Sequence, residues 1–411
     1  MKFKYLFLFL IGCLFVSCSS DDQQFEYYKV AKPITLSVEE LRSSVEILPV
    51  QNITTSGKIY AYQQYIFIND VDKGVHVIDN RNPLQPSRIN FLKIPLNRDV
   101  SIKGDYLYAD SGMDLVVFNI ADINNIQMVG RVENVLENYI EYPEEAQFYN
   151  WDDYDYQNDI IVGWQVTVER REVIQYDDEA ISVGDSSGNS SGSGGSLARF
   201  KIVNDYLYAV DNSKINVFDI QNLTSPVKVN EEYVTWEAET IFHENDKLFI
   251  GTRSGMYIYD ISQPSSPQYI SDFDHLKFCD PVVVDGNYAY VTLRAGASCM
   301  DGETQMLESR LEIINITDIY NPQLEETYFM DEPYGLGIKN DHLFICDGAS
   351  GLKVYNKADV SNLQLLQTYA SINAYDVIPL GDKLLMIGAN KLTQYSYTDT
   401  GIELLSEFTI Q

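Results

Sequence analysis

The sequence predicts an all-β fold, a seven-bladed β-propeller, and three observations carry that expectation. A unit of about 40 residues recurs along the chain, clearest from Asp99, Ala198 and Glu239, with further copies near Ser56, Asp280, Tyr334 and Ala374. Each copy alternates large apolar residues with smaller or polar ones at strand period, and none carries a helical period. A polar residue closes the third strand of every copy: Asp79, Asn119, Asp219, Asp260, Asn315, Asn356 and Ser396, in register except where two copies carry insertions. A blade of four short strands cannot bury both faces alone, whereas a ring of them can.

In chain order, residues 1–17 read as a lipoprotein signal peptide. Lys2 and Lys4 supply a charged start, and Tyr5 to Val16 an apolar run too short to span a bilayer. Phe15-Val16-Ser17-Cys18 resembles a lipobox, with Phe15 in place of the usual leucine. Cys18 is then the lipidation site, because a thioether carries the diacylglycerol, and the mature chain is expected to start there. Ser19-Ser20-Asp21-Asp22 resembles the acidic export tag of surface lipoproteins in Bacteroidetes-type bacteria. Residues 18–49 are expected to form a tether holding one short helix, opened by the capping box of Ser37 and Glu40.

Residues 50–411 are assigned to the propeller. Asp105, Asp205, Asp246, Asn287, Asp341 and Asp382 mark the first hairpin turn of their copies, most of them preceded by Gly or Asn. The Asp or Asn that ends the third strand can accept a hydrogen bond from the backbone N–H two residues on, which turns the chain where the strand must reverse. Prolines follow at Pro83, Pro226, Pro264 and Pro322, where no ladder donor is needed.

One insertion, at about 137–197, lies between the second and third copies. It holds an aromatic and acidic stretch, a segment that reads as a strand pair, and a Gly/Ser run. Trp151 beside Asp152, Asp153 and Asp155 suits either a sugar-stacking platform or a calcium loop. An EF-hand is excluded because the glycine of its sharp turn is missing. The bland alternative is a protruding hairpin with solvated acids.

The heads of the innermost strands, Lys58, Asp99, Arg199, Thr240, Pro281, Gly335 and Asp376, are expected to approach the central channel. With Asp280 and Tyr375 they give a mixed polar funnel, for which Lys58, Asp99, Arg199, Asp280, Tyr375 and Asp376 are the candidate ligand contacts. No catalytic motif accompanies them. Gly188-Asn189-Ser190-Ser191-Gly192 matches GxSxG in letters, but it lies in a low-complexity run with neither the strand nor the helix of a nucleophile elbow. The four histidines show no metal-binding spacing, and no CxxC occurs, so no metal site or cofactor is assigned beyond the calcium alternative. Cys279 and Cys299 are candidates for a disulfide worth about 3 kcal/mol on chain entropy, with Cys346 left as a buried thiol.

A formal charge of -31 and a pI near 4.3 exclude nucleic acid as a partner, since phosphate recognition needs a basic stripe. The third strands, reading VHVID, LVVFN, INVFD, MYIYD, LEIIN and LKVYN, resemble the LVIVD-repeat family of bacterial propellers. That resemblance implies a fold and leaves function open. The expectation is a lipid-anchored protein of the bacterial outer membrane, exposed at the cell surface. It acts as a non-enzymatic binding module for a protein or glycan partner; a hydrolase or lyase working at the channel mouth is the competing expectation.

Overall fold

The computed structural model describes residues 25–410, apart from 139, 141, 144, 173–196, 236–237, 275–280, 296–307, 371 and 399–400. Cys18, the Cys279–Cys299 pair, Asp280 and the Gly/Ser run therefore lie outside the described residues.

The chain is all-β. Six four-stranded antiparallel sheets and one five-stranded sheet follow one another in sequence; the six are in simple up-and-down order, and the fifth strand of the other joins beside its last. They are numbered here I to VII. Their first strands are Ser56–Tyr62, Val100–Lys103, Phe200–Val203, Ala238–Glu244, Val282–Asp285, Leu336–Lys339 and Ala374–Pro379. Each first strand contacts the first strands of the neighbouring sheets, and that of sheet VII contacts that of sheet I. These seven are the inner strands.

Local chemistry explains each sheet. The residue opening the first hairpin is left-handed at Gly104, Asn204, Asn245, Gly286 and Asn340, with φ between 52° and 61°, a conformation Gly and Asn tolerate best. At the third strand's end, the Oδ1 atoms of Asp79, Asn119, Asp219, Asp260, Asn315 and Asn356 each accept the N–H two residues on, at 2.8–3.0 Å. The Asx turns expected from the sequence are thus formed in six copies.

The apolar core lies in the seams. Ile59, Ile66, Ile68 and Ile78 of sheet I pack with Leu385, Ile387 and Leu392 of sheet VII, and every other pair of consecutive sheets shares a comparable buried cluster. A side chain also crosses each seam to donate to a backbone carbonyl. Asn90 Nδ2 reaches Ile123 O at 2.8 Å, Tyr108 Oη Leu223 O at 2.9 Å, and Tyr208 Oη Pro264 O at 2.7 Å. Ser271 Oγ reaches Ile319 O at 2.6 Å and Tyr328 Oη Val360 O at 2.7 Å, while Tyr369 Oη donates to Ile402 O. Between sheets VII and I, Ser406 Oγ donates to Pro83 O at 2.6 Å. In six of the seven seams the acceptor carbonyl lies four residues after the Asp or Asn of the Asx turn. The turn that ends a third strand thereby presents a fixed acceptor to the preceding sheet.

The N-terminal segment departs from the expected tether. Phe25–Ser37 is a 13-residue strand that pairs antiparallel with Asp159–Glu172 of the insertion, and Phe148–Tyr149 joins it in parallel on the other side. The expected strand pair inside the insertion is corrected in the same way, because Asp159–Glu172 is one strand whose partner comes from the N-terminus. Pro33 faces Trp164 in this ribbon, next to a register shift at Ile34 and Thr35, which spares a regular ladder position. The expected helix forms over Val38–Ser43 with its complete capping box of Ser37 and Glu40. Arg42 on this helix binds buried Asp114 of sheet II through Nε at 2.8 Å. Glu46–Pro49 then adds the fifth strand to sheet I. Among the described residues no helix is long and apolar enough to cross a membrane.

Candidate functional site

A cavity of about 630 Å³ is lined by residues from all seven of these first strands. At the end where the inner strands begin stand the predicted candidates Lys58, Asp99, Arg199 and Asp376, and the structure does bring them together. They form a buried polar cluster, called the plug below, in which Lys58 pairs with Asp99 and both act on Asp376.

Asp99 is its centre. Oδ1 accepts the Val100 N–H at 2.8 Å; Oδ2 accepts the N–H groups of Arg199 at 2.5 Å and Phe200 at 2.8 Å. The same Oδ2 pairs with Lys58 Nζ at 3.2 Å. One buried carboxylate therefore ties the inner strands of sheets I, II and III. Arg199 Nε also donates to Val210 O, on the neighbouring strand of its own sheet, at 3.2 Å. Burial, and secondarily the Arg199 guanidinium, pull the Lys58 ammonium down to about 8 against the favourable field of Asp99.

Asp376 is fully buried, and apart from the weak influence of the Val377 N–H its carboxyl oxygens have no hydrogen-bond partner. Burial holds its pKa well above the carboxylate range, the Asp99 charge adds to this, and the Val377 N–H and Lys58 offset only part. A Cβ on Gly335 would lie 2.0 Å from Asp376 Oδ1, so only glycine permits the carboxyl to sit there. Tyr375 stands beside the plug, its ring 5.2 Å from that of Tyr334, over which the Arg294 guanidinium lies at 3.9 Å.

Asp110 belongs to the same region, though it is not among the residues expected there. It is the counterpart of Asp99 in holding backbone, with Oδ1 accepting the Arg98 and Asp99 N–H groups at 2.9 and 3.0 Å and Asn97 Nδ2 at 2.7 Å. A signal was present, since acids lie at or within one residue of the end of the second strand at Asp70, Asp110, Asp211 and Asp347. Two others bind the chain entering their sheets: Asp70 takes the N–H groups of Thr54 and Thr55, and Asp347 that of Glu332 at 2.6 Å.

The insertion candidates separate. Trp151 joins an aromatic cluster, with centroids 5.4 Å from both Trp164 and Tyr154 and 6.2 Å from Tyr149 and Tyr156. Tyr156 at its edge is 72% exposed. The acids do not converge on a cation. Asp153 pairs with Lys32 at 2.5 Å, Asp155 accepts Gln157 N–H and Asn158 Nδ2, and Asp152 lies exposed beside them. Among the described residues no three His, Cys, Asp or Glu side chains gather as a metal-ligand set, so the calcium-loop expectation has no ligand geometry here. Cys346 is free and buried, as expected.

Residues 97–134, 194–235, 246–275 and 279–296 match the family model described as the LVIVD repeat. No curated protein matches the chain. Among solved structures, the computationally designed Ika8 protein superposes with a TM-score of 0.52 at 11% identity, over 89% of this chain and 90% of that one. Sqt1 of Saccharomyces cerevisiae gives 0.52 at 9% identity, over 88% of this chain and 87% of that one. KlHsv2 with loop 6CD replaced by a Gly-Ser linker gives 0.50 at 9%, over 88% and 100%. Likeness at such identity concerns fold alone. The chain is an all-β, β-propeller-like protein, and four of its segments are similar to the LVIVD repeat.

Proposed function

We propose that the chain is a seven-bladed, ring-closed β-propeller, held at the bacterial outer membrane by a lipid on Cys18, and that it is a non-enzymatic binding module. Seven polar clasps support the ring, one of them from sheet VII to sheet I. The observation that carries the non-enzymatic reading is the state of Asp99. A general acid or base must exchange its proton with substrate, and this carboxylate is engaged by three backbone N–H groups and an ammonium.

The binding surface of this reading is the outer face of the insertion, where the aromatic cluster around Trp151 and exposed Tyr156 offers rings for a sugar or for a protein side chain. The competing hydrolase reading draws on one feature, the weakly partnered and protonation-prone Asp376. Its full burial beneath Gly335 separates it from any bulk substrate.

A glycan array probed with the purified protein and with Trp151→Ala tests the reading. Binding that the substitution removes supports it. A polysaccharide- or ester-cleaving activity abolished by Asp376→Asn, with the fold intact, overturns it in favour of the hydrolase. The anchor is tested separately: Cys18→Ala is expected to leave the membrane fraction, and retention there with acylation still seen by mass spectrometry refutes that part.

A further inference from the structure

The central cavity has a chemistry of its own, apart from the outer face and the lipid anchor. Part of its wall is apolar, carried by Ile59, Phe200, Phe242, Val283, Leu336 and Val377. At about 630 Å³ it falls within the ~300–1,000 Å³ typical of small-molecule pockets. Asp99 lines the plugged end. At the opposite end, where the inner strands finish, the lining includes Lys103, Asn204, Asp285 and Asn340, while Lys201, second residue of the strand Phe200–Val203, lines the wall between.

The cations near that end differ in how they are engaged. Lys103 donates to Asn204 O and pairs with Asp205. Lys339 donates to Leu380 O and Gly381 O. Lys357 pairs with Asp285, which neutralises that acid. Lys201 has no hydrogen bond or ion pair among the described residues; its Nζ lies 5.9 Å from the Phe242 ring centroid. Glu244 acts on it only at longer range, and burial lowers its affinity for a proton. A half-buried ammonium without a partner is costly, and an anion brought by a ligand would offset that cost.

We propose that the central cavity binds a small apolar monoanion, a medium-chain carboxylic acid, with its hydrocarbon against the inner strands and its carboxylate on Lys201 Nζ. A single available ammonium matches a single negative charge, and Ile59, Phe200, Phe242, Val283, Leu336 and Val377 give a hydrocarbon its apolar wall. The charge of the whole molecule makes this a discriminating claim. At a formal charge of -31, non-specific electrostatics favour cationic amphiphiles, so a preference for the anion has to come from the cavity.

The experiment uses the full chain carrying Cys18→Ser, so that no acyl chain or detergent competes. Sodium decanoate and decyltrimethylammonium are titrated calorimetrically, both below their micellar concentrations. Saturable decanoate binding with one site, at least about tenfold tighter than the cation, is expected. Lys201→Met is expected to weaken decanoate by about tenfold or more, and Lys201→Arg to keep it within about threefold of the parent. No saturable decanoate binding, equal affinity for the two ions, or undiminished binding by a folded Lys201→Met chain would each overturn the proposal. Should Lys201→Met fail to fold, the comparison of the two ions on the parent and on Lys201→Arg decides.

Discussion

Asn80 and Gln394, separated by 314 residues, exchange a reciprocal pair of hydrogen bonds: Asn80 Nδ2 donates to Gln394 Oε1 at 3.0 Å, and Gln394 Nε2 returns one to Asn80 Oδ1 at 2.7 Å. Gln394 also donates to Pro83 O at 3.1 Å. Both side chains are buried, so this seam between sheets VII and I is fastened by groups that have no access to solvent. Gln394→Leu is expected to cost about 2–3 kcal/mol, because it strands the Asn80 amide and the Pro83 carbonyl loses one of its two donors. Urea unfolding measures this. With Asn80→Leu added, the double change is expected to cost less than the sum of the two singles, since no half of the pair is then left unsatisfied.

The three-sheet tie at Asp99 makes a second expectation. Asp99→Ala should destabilise by roughly 3–5 kcal/mol, because it leaves Lys58 as an uncompensated buried charge and frees the Arg199 and Phe200 N–H groups. Adding Lys58→Met should recover part of the loss. The measurement is again equilibrium unfolding, and a cost below about 1 kcal/mol for Asp99→Ala would show that the plug holds little.

The pH dependence of Asp376 has a definite sign. Its folded pKa stands well above the ordinary 3.8, so between these values the unfolded chain holds fewer protons than the folded one. Stability then falls as pH rises from about 4 towards neutrality. Asn does not titrate, so Asp376→Asn should gain on the parent across that range, with the largest advantage near pH 7 and little near pH 4. Denaturant midpoints at the two pH values check it. Lys58 works in the other direction: pulled down to about 8 from 10.5, it adds stability as pH rises between those values, and Lys58→Met should remove that rise.

The ribbon of Phe25–Ser37 and Asp159–Glu172 is expected to open independently of the seven sheets. Trp164→Ala removes the ring that meets Tyr142, Tyr149 and Trp151. Faster proteolysis within Phe25–Ser37, with the global unfolding midpoint nearly unchanged, is the expected result. A fall of the global midpoint by more than about 5 °C would make the ribbon part of the cooperative core.

Much of each sheet is legible in the sequence because its determinants are local. The Asx turns at Asp79, Asn119 and their equivalents need only a carboxylate or amide and an N–H two residues on, and the left-handed hairpin positions need only Gly or Asn. The inner-strand heads follow from the same register, so Lys58, Asp99, Arg199 and Asp376 are expected near one another from their positions in the repeat.

Tertiary structure decided the rest, because the deciding contacts join residues far apart in the chain. The alternation in Phe25–Ser37 is visible, yet its partner strand lies beyond residue 158, and nothing local distinguishes a paired strand from a tether there. Asp99 and Asp376 are alike in sequence, each heading an inner strand. Packing gave one of them three N–H donors and an ammonium and left the other buried with no partner beyond the weak influence of one N–H. The repeat, its turns and its strands can be read along the chain; the meeting of the sheets sets which carboxylate is a tie, which lysine faces the cavity, and where Phe25–Ser37 docks. The physical reason is that turn chemistry acts over two to four residues, whereas burial and charge pairing depend on which groups the seams bring into contact.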